Sequence, residues 1–419
     1  MGKTIAEKVL TSHSGKECHA GDLVIADVDF CMSQDGTSTM MIRELESLGF
    51  STPKTKHGMA VVIDHSAPCP SVDVARIHSK IRRFASDRSI PIFDVGEGVC
   101  HQLVPESGKV QPGSLVVGAD SHTCTYGALN SCSTGLGSTD VAAAVFTGKL
   151  WLKVPATHSM VVGGAFSDRV SAKDLILDVI GKVSCDGATY KSVEFSGESI
   201  DGLGMDGRMT IANMAVEMGA KFCPFGFDGI TREWFSSICT EVSDGVKSDC
   251  DAVFEKSYDF DASDLVPKVA KPHAVDNVVD AAQLSGTDVH QVFLGTCTNG
   301  RLADLDAASS VLKGKHVKQG VRLVVAPASR KIFLEAMERG IISRLLKAGA
   351  VFVAPGCGPC VGTHAGIPSD GDNVLSTANR NFKGRMGNNN DVNIYLASPW
   401  TAAASAIVGR ITDPREVHV

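Results

Sequence analysis

The feature that most limits how this chain can fold is a rhythm in its first third, where short apolar runs of β type alternate with helical stretches. MAVVIDH (59–65) is a strand-like run, VDVARIHSKIRRFASD (72–87) has helical periodicity, PIFDV (91–95) is a second strand and SLVVGADSH (114–122) a third. Strands joined through helices run parallel, so the segment predicts a parallel sheet with helices on its faces. Such sheets bind ligands beyond the carboxyl ends of their strands. The polar groups gather there. Asp64 and His65 end the first run, Glu97, His101 and Gln102 follow the second in DVGEGVCHQ, and Asp120, Ser121 and His122 end the third. One histidine at a strand end is more often structural than catalytic. Here three histidines and two aspartates reach one edge, and a carboxylate beside an imidazole raises its pKa and holds its orientation, as a general acid requires.

The rhythm returns in the last third. QVFLGTCTNGR (291–301) reads as a strand running into Cys297, followed by the helical LADLDAASSVLKG, the strand VRLVVAP and the helical SRKIFLEAMERGIISRLLKAG. AVFVAPGCGPC (350–360) then reads as a strand ending on Cys357 and Cys360. A helix cannot run through Pro359, and Gly356 and Gly358 permit the backbone angles that turn both sulfurs toward one point. Alone, the pair fits a turn with incidental cysteines, half a zinc site or a redox dithiol. Cys297 leaves its strand at the same end, so the three can converge. A structural zinc normally closes its shell with four ligands, whereas a cubane held by three thiolates leaves one iron open. Downstream, NRNFKGR (379–385) adds Arg380 and Arg385, whose forked guanidinium groups suit a substrate carboxylate.

Between these thirds, HSMVVGGAF and KSVEFSG read as strands and DLILDVIGKV as a helix. MTIANMAVEMGAK (209–221) is strongly helical and sets Asn213 and Glu217 four residues apart on one face. The charged, proline-ended stretch before Pro272 marks a boundary. The expectation is three α/β domains, at 1–155, 156–272 and 273–419. GLGSTD (135–140) precedes a helical run but lacks the acidic residue and βαβ context of a dinucleotide fingerprint, so a nicotinamide cofactor is rejected.

Composition narrows the partners. The net charge of −7 mixes both signs without a basic stripe, which argues against nucleic acid. No apolar run approaches the roughly 20 residues that cross a bilayer, and the N-terminal stretch lacks the apolar core of a signal peptide, so the expected setting is cytoplasmic, with no membrane partner. Thirteen cysteines, odd in number and scattered, are not a disulfide framework, and some should bind metal. Cys18, Cys31, Cys69, Cys132 and Cys239 have no ligand-like neighbours and read as core fillers or incidental thiols.

With these motifs in place, the chain resembles the aconitase superfamily, in particular large subunits of the 3-isopropylmalate dehydratase and homoaconitase type. The carriers are GADSHTCTYGAL (118–129), DGATYKSVEFSG (186–197), MDGRMTIANMAVEMGA (205–220), GTCTNGR (295–301), CGPCVG (357–362), NRNFKGR (379–385) and YLASPWTAAASAIVGRITDP (395–414), which together span essentially the whole chain. The resemblance implies three α/β domains with mostly parallel sheets packed around a central iron-sulfur cluster. It implies that Cys297, Cys357 and Cys360 hold one [4Fe-4S] cluster per subunit, whose open iron meets the substrate. It gives Asp64 with His65 as the acid pair and places His101, Asp120, Ser121 and His122 along the site. Gln34 then contacts substrate, Glu217, Asn213 and Asn379 neighbour the cluster, and Arg380 and Arg385 bind carboxylate.

The implied activity is a hydro-lyase of hydroxy di- or tricarboxylic acids, foremost the dehydration and rehydration of isopropylmalate in leucine biosynthesis. Homoaconitase and dimethylmalate- or citramalate-type dehydratases are the alternatives. One departure bears on the choice, because Gln34-Asp35 stands where many isopropylmalate enzymes carry His-Asp. The resemblance also places the base serine and the selectivity loop on a fourth domain, so a small subunit is expected to complete the enzyme. A cluster-free RNA-binding regulator or a degenerate scaffold fits poorly with complete cysteines and arginines and no basic patch.

Overall fold

The computed structural model describes residues 2–417; Met1, His418 and Val419, at the outer ends of the first and third expected domains, lie outside the described residues. β1 (Leu23–Asp27) leads into the first sheet, built from β2 (Phe30–Gln34), β3 (Met59–Val62), β4 (Ile92–Phe93), β5 (Leu115–Gly118) and β6 (Cys132–Gly135). All its pairings are parallel and the order is β4-β3-β2-β5-β6. Chain order therefore reverses between β2 and β5, which opens a crevice at their carboxyl ends, the place where doubly wound sheets bind ligands. Gln34 closes β2 and Asp120 follows β5, so both stand at that crevice.

β7 (Lys149–Lys153) pairs antiparallel with β1 as a separate ribbon. A second sheet holds β8 (Thr157–Gly163), β9 (Ser192–Ser196) and β10 (Lys256–Asp261), all parallel, in the order β10-β8-β9. The third contains β11 (Lys268–Ala270), β12 (Val278–Asp280), β13 (Gln291–Gly295), β14 (Arg322–Ala326), β15 (Val351–Phe352), β16 (Asn373–Ser376) and β17 (Asn393–Ala397). Its order is β12-β11-β17-β16-β13-β14-β15, parallel from β17 to β15, with β11 and β12 added antiparallel at one edge. The chain enters this sheet at β11, ahead of the boundary expected near Pro272, and passes from the ribbon to the second sheet between β7 and β8, beside the division expected at 155.

The inner strands of the first sheet, β2, β3 and β5, are buried on both faces, and their period of two divides them between two cores. Cys31, Val61, Leu115 and Val117 pack with Met41, Ile42, Ile81 and Phe84 of the covering helices Asp35–Ser47 and Val72–Asp87. Met32, Val62 and Val116 face the other way, into a larger core shared with Phe293, Leu294 and the three site cysteines. The first and third sheets are thus joined by apolar packing, with each fully buried aliphatic side chain contributing about 1.5–3 kcal/mol. Their carboxyl ends meet over that core.

Two helical expectations need correction. The run 209–221 is not one helix: Met205–Met214 is α-helical, Ala215–Met218 tightens to a 3₁₀ turn, and Gly219 stops it at φ 85°. A Cβ at Gly219 would lie 2.8 Å from Thr189 Cα, so the turn is fixed by a neighbour remote in sequence. The run 329–349 likewise splits into Arg330–Glu338 and Ile341–Lys347 at Gly340, whose φ is 69°. Pattern alone could not place either break, since apolar periodicity continues through both.

Candidate functional site

The site begins with the turn that ends β3. The Asp35 carboxylate, at the start of its helix, accepts the backbone N–H groups of Asp64 at 3.1 Å, His65 at 2.8 Å and Ser66 at 2.9 Å, and His78 Nε2 lies 3.2 Å from it. These contacts fix the direction in which Asp64 and His65 leave the strand. Asp64, fully buried, accepts from His65 Nδ1 at 2.8 Å and from the Cys100 N–H at 2.7 Å. His65 Nε2 then points across the crevice to Asp120, 3.4 Å away.

Asp120 is the hub of the polar wall. It accepts from His101 Nε2 at 2.7 Å, from the His122 N–H at 2.9 Å and from Gln34 Nε2 at 3.5 Å. Burial alone would raise its pKa, but the charge of His101 and hydrogen bonds from His101, His122 and His65 hold it well below the usual carboxylate range. Burial also opposes charge on His65, and the carboxylates of Asp64 and Asp120 overcome it, so that its pKa stands well above an ordinary histidine's. His122 Nε2 donates to Glu217 at 2.8 Å, and Arg380 Nε donates to both Glu217 oxygens at 2.8 and 3.1 Å. Glu217 is pushed up by burial and, more strongly, down by His122 and Arg380.

The sulfur wall comes from the third sheet. Cys297 lies in the short helix Thr296–Asn299 directly after β13, and Cys357 and Cys360 follow β15. The loop bearing the pair is tied to the first sheet where the Cys357 N–H donates to the Asp64 carbonyl at 2.9 Å. A second tie is the Val99 N–H to Ala328 carbonyl bond at 2.8 Å; beside it, a Cβ at Gly98 would come within 2.6 Å of that same oxygen. Cys297 Sγ receives a hydrogen bond from Asn379 Nδ2 at 3.5 Å, and Asn379 Nδ2 also donates to Asn213 Oδ1 at 3.0 Å. Arg385 Nη2 donates to Cys360 Sγ at 3.5 Å. A hydrogen bond from Cys357 and the Arg385 guanidinium favour negative charge on Cys360, while burial pushes the Cys297 thiol up to about 11.

Both walls line one cavity of about 170 Å³. Gln34, His65, His101, Asp120, Ser121 and His122 form its polar side, and the three cysteines with Asn379, Arg380 and Arg385 face them. Asp64, Glu217 and Asn213 do not line it, and each instead bonds to a residue that does: His65, Arg380 and Asn379. The donor set suits an anionic metal-sulfur group. Three cysteine sulfurs converge without a disulfide among them, N–H donors reach two of them, and the buried Nε of Arg385 has no partner.

Three supporting residues escaped sequence reasoning. Asp35 enters the sequence reading only as the neighbour of Gln34. Arg301, fully buried, donates to the carbonyls of Cys297 at 2.6 Å and Thr298 at 2.8 Å and to Gln102 Oε1 at 3.0 Å, which fixes the Cys297 turn. Its place in GTCTNGR was the available signal. Lys173 donates 2.7 Å bonds to the carbonyls of Thr377 and Ala378, just before Asn379, and burial lowers its pKa to about 7. Nothing in its helical sequence marks it.

Comparison with known proteins places this sequence among relatives. The aconitase family (aconitate hydratase) model matches residues 7–409. The chain is 49% identical over 417 residues to the 3-isopropylmalate dehydratase large subunit 2 of Archaeoglobus fulgidus, covering 99% of this chain and 100% of that one. It is 48% identical over 420 residues to large subunit 1 of the same enzyme from Thermotoga maritima, covering 99% of each. It is also 48% identical over 395 residues to a probable methanogen homoaconitase large subunit of Methanosarcina mazei, covering 94% of this chain and 100% of that one.

Because Asp35 accepts three consecutive N–H groups, Asp35→Ala strands buried donors and should destabilise the fold by about 2–4 kcal/mol. A thermal-melt midpoint lowered by several degrees is the expected reading, and an unchanged midpoint would show that the turn holds without it.

Proposed function

This chain belongs to the aconitase family, and from that premise we propose that it is the large subunit of an iron-sulfur hydro-lyase that interconverts 2- and 3-isopropylmalate by dehydration and rehydration, as in leucine biosynthesis. Members of the family are generally iron-sulfur enzymes. The observation that carries the proposal is the shared cavity, in which three strand-end cysteines face His65, Asp120 and Arg385. Cys297, Cys357 and Cys360 would hold a [4Fe-4S] cluster, one per subunit. When bound, such a cluster supplies Lewis acidity from the iron that no cysteine occupies, which weakens the substrate's bond to its leaving hydroxyl.

The chain's own residues do the rest. His65 carries a proton at Nε2 toward the cavity, because Asp64 accepts the hydrogen bond of its Nδ1–H and stabilises the imidazolium, so His65 is placed to protonate the departing hydroxide. His101 and His122 hold Asp120 ionised across from it, and that charge sustains the raised pKa of His65. Arg385, with its free Nε, and Arg380, braced by Glu217, are the carboxylate hands, and they offset the charge that builds there as the neighbouring C–H is lost. Gln34 and Ser121 line the remaining polar edge and orient substrate. Asn379, with Asn213 behind it, steadies Cys297.

A small subunit completes the pocket and supplies the base and the contact that reads the substrate's side chain; the relatives' designation as large subunits supports this part of the reading. We propose a cytoplasmic setting for the reaction. Among the described residues no helix is long and apolar enough to cross a membrane. A second reading, homoaconitase, draws on the Methanosarcina mazei relative and on Gln34 at the substrate edge.

Anaerobic reconstitution with iron and sulfide should give a brown protein whose visible absorbance is lost in Cys357→Ser. With its small subunit, that protein should turn over isopropylmalate in preference to homoaconitate, citrate and dimethylmalate. A colourless protein contradicts the cluster assignment, and preference for homoaconitate selects the second reading.

His65→Ala should lose about 10²–10⁴-fold in turnover while keeping its colour. The sign of the pH dependence comes from the raised pKa: the acid is protonated below it and lost as pH rises through it. The alkaline limb of turnover should therefore lie above the ordinary histidine value and move to lower pH in Asp64→Asn. An unmoved limb removes His65 from the acid role.

A further inference from the structure

The ribbon of β1 and β7 carries large apolar side chains on both of its faces. Val24, Ala26, Leu150 and Leu152 point inward and pack in the core that holds Ile5, Val9 and Leu10 of the helix Ile5–Ser14. On the outer face Leu23, Ile25 and Trp151 are 74%, 64% and 72% exposed. Ile25 stands directly opposite Trp151, with the pair Asp27 and Lys149 at one end and Leu23 and Lys153 at the other. A ribbon with one solvated face should read apolar inward and polar outward. A large aromatic and two aliphatics side by side, flanked by charges, are the pattern of a surface that another protein covers.

The ribbon's place in the fold narrows what covers it. β1 leads through Val28 and Asp29 into the amino end of β2, and β7 comes after the helix Ser138–Thr147, which starts beyond the carboxyl end of β6. The ribbon therefore lies at the amino edge of the first sheet, away from the cavity at the carboxyl edge. A subunit that completes the cavity approaches from the other side.

We propose that this face binds a second copy of the chain. Two ribbon faces stacked about a two-fold axis parallel to the strands set each Ile25 on Trp151 of the other copy and each Asp27 on Lys149 of the other copy. Apolar groups then meet apolar groups at the centre, and opposite charges meet at the end. The alternative two-fold axis, in the face but across the strands, would bring Lys149 onto Lys153 of the other copy and is disfavoured. Asp27 and Lys149 already pair within the chain, so they are held in place for the exchange.

Sedimentation velocity of the full chain over a range of concentrations tests this directly. The expected result is a reversible dimer, weakened about a hundredfold or more in Trp151→Asp because a central aromatic is lost twice across a two-fold interface. Asp27→Lys should weaken it too, and Asp27→Lys combined with Lys149→Asp should restore it, all with an unchanged far-ultraviolet circular dichroism spectrum. The proposal is overturned by a wild-type chain that stays monomeric throughout, by a dimer indifferent to Trp151→Asp, by loss of the dimer when the small subunit binds, or by a monomer that instead floats with anionic phospholipid vesicles.

Discussion

The site depends on how Asp64 joins two sheets. Its carboxylate orients His65 and caps the helix that begins at Cys100, and its carbonyl receives the Cys357 N–H. One residue at a strand end thus sets the orientation of His65 in the polar wall and the position of the sulfur wall. Neither sheet alone contains the chemistry. The cavity exists because the carboxyl ends of two parallel sheets are brought face to face over a shared apolar core.

Burying so many charged groups together is costly unless each is matched. Here the matching is close to complete: His65 lies between Asp64 and Asp120, His101 is paired with Asp120, and His122 with Arg380 encloses Glu217. Arg385 is the exception, with its Nε unpartnered beside Cys360. A preorganised network with one open donor near the sulfurs is a site arranged to receive an anion. Its worth is positional, since replacing any one member leaves a buried charge without its partner.

Much of this was legible in the sequence because parallel strands announce themselves as short apolar runs, and the residues just after each run must lie at the carboxyl edge. Asp64, His101, Asp120 and Cys297 stand on that edge by this pattern, whereas Gln34 comes from the family resemblance alone. The misreadings concern contacts between remote segments. The helix through Asn213 and Glu217 ends early because Gly219 packs on Thr189, and no local pattern records that approach. Asp35, Arg301 and Lys173 hold backbone groups of other segments, so their importance becomes visible only when the partners are known. That Asp64 and Glu217 stand behind the cavity wall is likewise not legible in sequence, where a carboxylate near a site looks alike whether it faces the ligand or braces the residue that does.

The central claim is that Cys297, Cys357 and Cys360 hold a cluster with one iron left for substrate. Mössbauer spectroscopy of the chain reconstituted with ⁵⁷Fe and joined to its small subunit tests it most directly. The account predicts a four-iron cluster in which one iron is distinct and alone shifts when isopropylmalate is added. Four equivalent irons that ignore substrate, or a chain that retains no iron, would contradict it.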